Sequence, residues 1–217
     1  MAALMTAGGG AIAQPAAALL DAARRGDADA VRRLLDHGAA IDTRDGARRT
    51  PLLLAVQAGH DAVAQLLVER GADINAQDEI DDSAFLLAGA RGRTAMLRAM
   101  LLPPTGSPDR PDYSRRNRYG GSALIPACHY GHVDTVRLLL QHSRIDVDHV
   151  NRLGWTALLE AVILGDGGPR HAEIVRLLLA HRADPSRADA QGVTPLAHAR
   201  QRGQAAVAAL LQAAGAR

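Results

Sequence analysis

Thr50-Pro51-Leu52-Leu53-Leu54-Ala55-Val56-Gln57-Ala58-Gly59-His60-Asp61 is the stretch that decides how this chain folds. A threonine ahead of a proline marks a helix start. The hydroxyl can accept a free N–H of the first turn, and proline at the first helical position lacks only an N–H that would have no partner anyway. Gly59 predicts the stop, because the left-handed backbone that ends a helix is cheap only for glycine. His60-Asp61 then opens a second helix, with Val63, Leu66 and Leu67 giving an apolar stripe at i, i+3, i+4. Gly71-Ala72-Asp73-Ile74-Asn75 ends that helix and leads into an extended loop that closes at Asp78. The unit is therefore helix, turn, helix, loop.

The unit recurs. Gly26, Gly59, Gly92, Gly131, Gly165 and Gly203 stand 33, 33, 39, 34 and 38 residues apart. Nine residues before the last five of them come Thr50, Ser83, Ser122, Thr156 and Thr194. A period near 33 predicts a repeat array, in which each unit buries its apolar faces only against its neighbours. Composition agrees, since the chain is 47% hydrophobic but only 2% aromatic, leaving Ala, Leu and Val to fill thin helix–helix layers.

Charge and cysteine content exclude several classes. Net charge is +2, and all 25 basic residues are arginine. That bias reflects either a GC-rich genome or selection for guanidinium forks that grip carboxylate or phosphate. With no dense basic stripe, nucleic-acid binding is not expected. Cys128 is the sole cysteine, so neither an intramolecular disulfide nor a Cys-based metal site can form. No run approaches the roughly 18 apolar residues that cross a bilayer. The opening Met1–Ala13 is small, apolar and uncharged, and ends Ala11-Ile12-Ala13. Residues 1–14 read as a signal-peptide remnant or as a disordered tail, the first placing the protein in a periplasm or outside the cell, the second in the cytoplasm.

The motifs resemble the ankyrin repeat family, whose signature includes T-P-L-H-x-A. The matches are TPLLLA (50–55), SAFLLA (83–88), SALIPA (122–127), TALLEA (156–161) and TPLAHA (194–199), and the loop anchor recurs as Asp45, Asp78, Asn117, Asn151 and Asp189. The resemblance implies an all-α solenoid of about six helix-turn-helix units with hairpin-like finger loops. Its units span about 15–46, 47–79, 80–118, 119–152, 153–190 and 191–217. It also implies a non-catalytic monomer that binds a protein or peptide on its concave side, with no cofactor. The signature histidine is replaced by Leu53, Leu86, Ile125, Leu159 and Ala197, so its inter-repeat hydrogen bond is expected to be missing. Two insertions break the period, one over about Pro103–Arg116 and one at Asp166-Gly167-Gly168-Pro169-Arg170.

Positions that face the concave side in the family fall here on Arg118, Tyr119, Gly121, Arg152, Leu153 and Trp155 in the fingers, and on His129, Tyr130, Ile163 and Leu164 at helix ends. Of the five aromatics, Phe85 sits at a core leucine position, Tyr113 lies in the first insertion, and the other three fall on this face. Aromatic and arginine side chains dominate interface energetics, although Tyr130 and Trp155 could equally plug gaps between fingers. Glu160 stands where other units carry Leu54, Leu87, Pro126 and His198, so a buried carboxylate with a nearby partner is expected. Candidate partners are His129, Arg152, His198 or the backbone of the 166–170 turn. An alternative class of function, a small-ligand receptor or enzyme, would centre on Glu160, Trp155 and Arg118. His129 and His132 are separated by a helix-ending glycine and are not expected to share a metal.

Overall fold

The computed structural model describes residues 10–102 and 111–216, with side chains from residue 14. Twelve helices and no strand occur among them: α1 (Gly10–Arg25), α2 (Ala28–Asp36), α3 (Pro51–Ala58), α4 (Asp61–Glu69), α5 (Ala84–Ala90), α6 (Thr94–Leu101), α7 (Leu124–His129), α8 (Val133–His142), α9 (Ala157–Ile163), α10 (Pro169–Ala180), α11 (Pro195–Gln201) and α12 (Ala205–Ala213). First helices stack in one layer, α1 on α3 and onward to α11, and second helices stack in the other, α2 to α12. Each pair buries leucines and alanines such as Leu52, Leu67, Leu97, Leu124, Leu139 and Leu158 between the layers. The first helix starts at Gly10, upstream of the boundary expected at Pro15, which lies inside it. Residues 1–9 and 103–110, which hold most of the expected tail and much of the first insertion, lie outside the described residues.

Four of the five helix starts form as the sequence predicts. The Thr50, Ser83, Thr156 and Thr194 hydroxyls accept the N–H three residues on, and in each case the N–H four residues on donates to the capping carbonyl. Ser122 departs from this. Its fourth residue is Pro126, which has no N–H to give, so α7 begins one residue late and the buried Ser122 hydroxyl has no partner.

Gly59 caps α3 with φ 84°, as expected. Gly165 does not take that conformation; Gly167, inside the inserted turn, does so instead with φ 68°. Gly165 is required for another reason, since a Cβ there would run into the Ala161 carbonyl and the His171 ring. That ring exposes a device the motifs hide. At several units a side chain at the start of the second helix reaches back to the preceding unit: His60 Nε2 donates to the Arg24 carbonyl at 3.0 Å, and His171 Nε2 to the His129 carbonyl at 2.9 Å. His132 bonds to the Ala90 backbone, and Gln204 donates to the Val162 and Gly165 carbonyls. These side chains, set at the start of the second helices rather than at the signature position, tie successive units together.

Fingers are held by their anchors. Asp45, Asp78, Asn117, Asn151 and Asp189 each accept two backbone N–H groups, from the residues two and four positions on. Tyr113 proves to be part of a finger base. It occupies the place of Ile74 in the preceding finger and packs edge-on against Phe85 with ring centroids 6.0 Å apart.

Candidate functional site

Asn117, which anchors the finger between the third and fourth units, places Arg118 and Tyr119 at its tip, while α7 ends in His129 and Tyr130. Across the stack, Asn151 holds the next finger with Leu153 at its tip, and α9 runs out at Leu164. These parts line two adjoining grooves that share Tyr119 and Tyr130. The first, about 300 Å³, is mixed, with Gln57, Asp78, Asp82, Arg91 and Arg118 lining it beside Leu53, Ile80, Leu86 and Leu87. The second, about 240 Å³, is largely apolar, lined by Ile125, Pro126, Leu153 and Leu164, with His129, Asn151 and Glu160 facing it.

Six large apolar or aromatic side chains are exposed among the described residues: Ile80, Leu102, Tyr119, Tyr130, Leu153 and Leu164. All but Leu102 line these two grooves. Scattered exposed leucines need no explanation, but a contiguous group does.

Arg118 donates to Asp82 Oδ2 at 2.9 Å, and its guanidinium lies 5.7 Å from the centre of the Tyr119 ring. Burial pushes the Asp82 carboxyl up, a rise that Arg118 only partly offsets. Arg152 serves the scaffold: it donates to the Arg118 carbonyl at 2.6 Å through its side chain and to the Tyr119 carbonyl through its N–H. His129 stacks on Tyr130 at 4.2 Å, and burial, aided by nearby His171, lowers its pKa. Trp155 is half-buried and lines neither groove.

Glu160 is buried, at 6% exposure. Its Oε1 accepts from Asn151 Nδ2 at 3.0 Å, while Oε2 lies 3.7 Å from His129 Nδ1, too far for a hydrogen bond. Burial raises the carboxyl to about 7, and the Asn151 bond only partly opposes it. The expected partners are corrected accordingly. Arg152 is committed elsewhere, and the 166–170 turn is tied by Asp166, which accepts from Gly168 N–H and faces His171 Nδ1 at 2.7 Å. His198 pairs with its own finger anchor, Asp189, at 2.7 Å. Glu160 and Asn151 are nine residues apart, as are His198 and Asp189, a spacing that would have named both pairs in advance. The constellation of Glu160, Trp155 and Arg118 is not assembled, because Arg118 and Glu160 line different grooves and Trp155 lines neither.

Among the described residues no three His, Cys, Asp or Glu side chains are grouped to hold a metal ion, and no helix is long and apolar enough to cross a membrane. Cys128 is buried and unpaired by disulfide, its thiol pushed well up by burial and by Glu160.

Paired helices stacked in two layers, with a finger between successive pairs, define a helical repeat solenoid. The chain belongs to the ankyrin repeat family: the model for ankyrin repeats (3 copies) matches residues 4–78 and 85–189. It is 43% identical over 195 residues to the ankyrin repeat protein YahD of Escherichia coli (strain K12), covering 90% of this chain and 94% of that one. The crystal structure of an ankyrin repeat domain from Acinetobacter baumannii AYE matches at 46% identity and TM-score 0.85, over 92% of this chain and 98% of the other. The ankyrin repeat domain of Bcl-3, a member of the IkappaB protein family, matches at 32% identity and TM-score 0.78, over 92% and 86%. Ankyrin repeats generally mediate protein–protein interactions and are scaffolds rather than catalysts.

Proposed function

We propose that this chain is a protein-binding module whose partner docks across the two adjoining grooves that meet at Tyr119 and Tyr130. The observation that carries the reading is the gathering of five of the six exposed large apolar or aromatic side chains at those grooves. Tyr119 and Tyr130 line both and are 59% and 57% exposed, so a partner would bury more area on them than on any flanking side chain. Arg118, held by Asp82, supplies a directional donor at the rim. Arg152 and Trp155 support the fingers in this reading, while His129 and Glu160 form the groove floor.

Affinity capture from the source cells tests it. Tyr130→Ala should weaken capture of a specific partner by about 2 kcal/mol, roughly thirtyfold. Arg98→Ala, on the opposite layer, should leave it unchanged. A partner held equally by wild type, Tyr119→Ala and Tyr130→Ala, but lost with Arg98→Ala, would move the interface to the other layer.

A further inference from the structure

The apolar groove has one feature that area alone does not explain. Its floor carries a buried carboxylate of which only one oxygen is used. Burying a carboxylate without full hydrogen bonding costs stability, and an apolar residue at this position, as in the units with Leu54 and Leu87, would avoid that cost. The tie to the finger does not require the open oxygen, since Asn151 uses Oε1 alone. No arginine lines this groove, in a chain with 25 basic residues that are all arginine. Glu160 is therefore the only acid or base there besides His129 and the two tyrosines.

We infer that the groove between Tyr119, Tyr130 and Leu153 receives a lysine side chain of the partner protein, its alkyl stem against the apolar walls and its ammonium on Glu160 Oε2. This deepens the proposed function and rests on it. An alkyl chain ending in a cation matches apolar walls over a charged floor. Lysine fits better than arginine, because a single free oxygen suits a point-charge donor, whereas a guanidinium fork seeks both carboxylate oxygens and Asn151 already occupies one. The chain itself contains no lysine, so neither its own side chains nor those of a second copy can be the occupant. The carboxyl's raised pKa of about 7 marks the cost that an incoming ammonium relieves. Facing it are His129 and Cys128 from α7 and Asn151 from the finger; His129 is held neutral by burial, and the Cys128 thiol stays protonated.

Nine-residue peptides of alanine and leucine with a central lysine, arginine or norleucine are the probes. Each is titrated at pH 8 into the folded full chain and followed by the methyl NMR signals of Leu153 and Leu164. The lysine peptide should bind at least about tenfold more tightly than the norleucine and arginine peptides. Glu160→Gln keeps the Asn151 bond and should erase that preference, while a thermal melt verifies that it is folded. Tyr130→Ala should weaken all three peptides. Equal binding of lysine and norleucine, a preference for arginine, a preference that survives Glu160→Gln, or no lysine binding at millimolar peptide would each overturn the lysine assignment. The first three leave the docking face standing where Tyr130→Ala still weakens binding. Peptide binding insensitive to both variants removes the face as well.

Discussion

The fingers anchored at Asn151 and Asp189 are built alike and differ in what the following helix sets against them. Each anchor accepts two N–H groups of its own loop and meets the residue nine positions on. In the last unit that residue is His198, which closes on Asp189 at 2.7 Å. In the fifth unit it is Glu160, which takes one bond from Asn151 and leaves its other oxygen at the floor of an apolar groove. The same geometry thus yields a closed structural pair in one place and an open, costly group in the other. Only the open one lies among exposed aromatics.

The most disruptive way to probe this contrast is Asn151→Ala. It strips two loop N–H groups and Glu160 of their partner at once, and should lower stability by about 3 kcal/mol in urea denaturation. Asp189→Ala should cost less, because the last unit has a neighbour on one side only.

Glu160→Gln comes next and separates the two pairs by pH. Native Glu160 keeps its proton to about pH 7, whereas an unperturbed glutamate releases it near 4.5. The folded state therefore binds the extra proton between those values, so the contribution is whole below pH 4.5 and drains as pH rises through about 7. The variant should be more stable than wild type by about 2 kcal/mol at pH 8 and indistinguishable from it at pH 4. The Asp189 pair has the opposite sign. The His198 bond, with the Val193 and Gln191 N–H groups, holds the Asp189 carboxyl below its ordinary 3.8. That stabilisation is present above pH 3.8 and is lost as pH falls through the lower native value, so His198→Ala should trim stability near neutrality and soften the acid limb. Smallest of all is the expected stability change for Tyr119→Ala and Tyr130→Ala. Their exposed rings carry little of the fold, and melts should shift by no more than about 0.5 kcal/mol while partner binding falls.

Features that depend on one residue's own chemistry were legible before any coordinates. Thr50 before Pro51, Gly59 at a helix end and Asp78 at a finger base each act within a few residues of themselves. Features that depend on the neighbouring unit were not. The carbonyls that accept from His60 and His171 belong to main chain 36 and 42 residues away, and no residue type announces a carbonyl. Tyr113 was hidden by the insertion, which obscured its register, although counting back four residues from Asn117 places it where Ile74 stands before Asp78. The late start of α7 was readable from Pro126, whose missing N–H cannot reach the Ser122 carbonyl. At the candidate site, the aromatics of α7 and its finger were legible from position, whereas the partner of Glu160 required the nine-residue spacing to be noticed twice.

The central claim, that the middle of the array keeps a buried carboxylate open where the end unit closes one, is tested most directly by titrating the Glu160 side-chain carboxyl by carbon-13 NMR, assigned against Glu160→Gln. The midpoint should lie near pH 7 in the free protein and move downward when the lysine peptide is added. A midpoint near 4.5, unmoved by the peptide, would mean a solvated or fully bonded carboxylate and would contradict it.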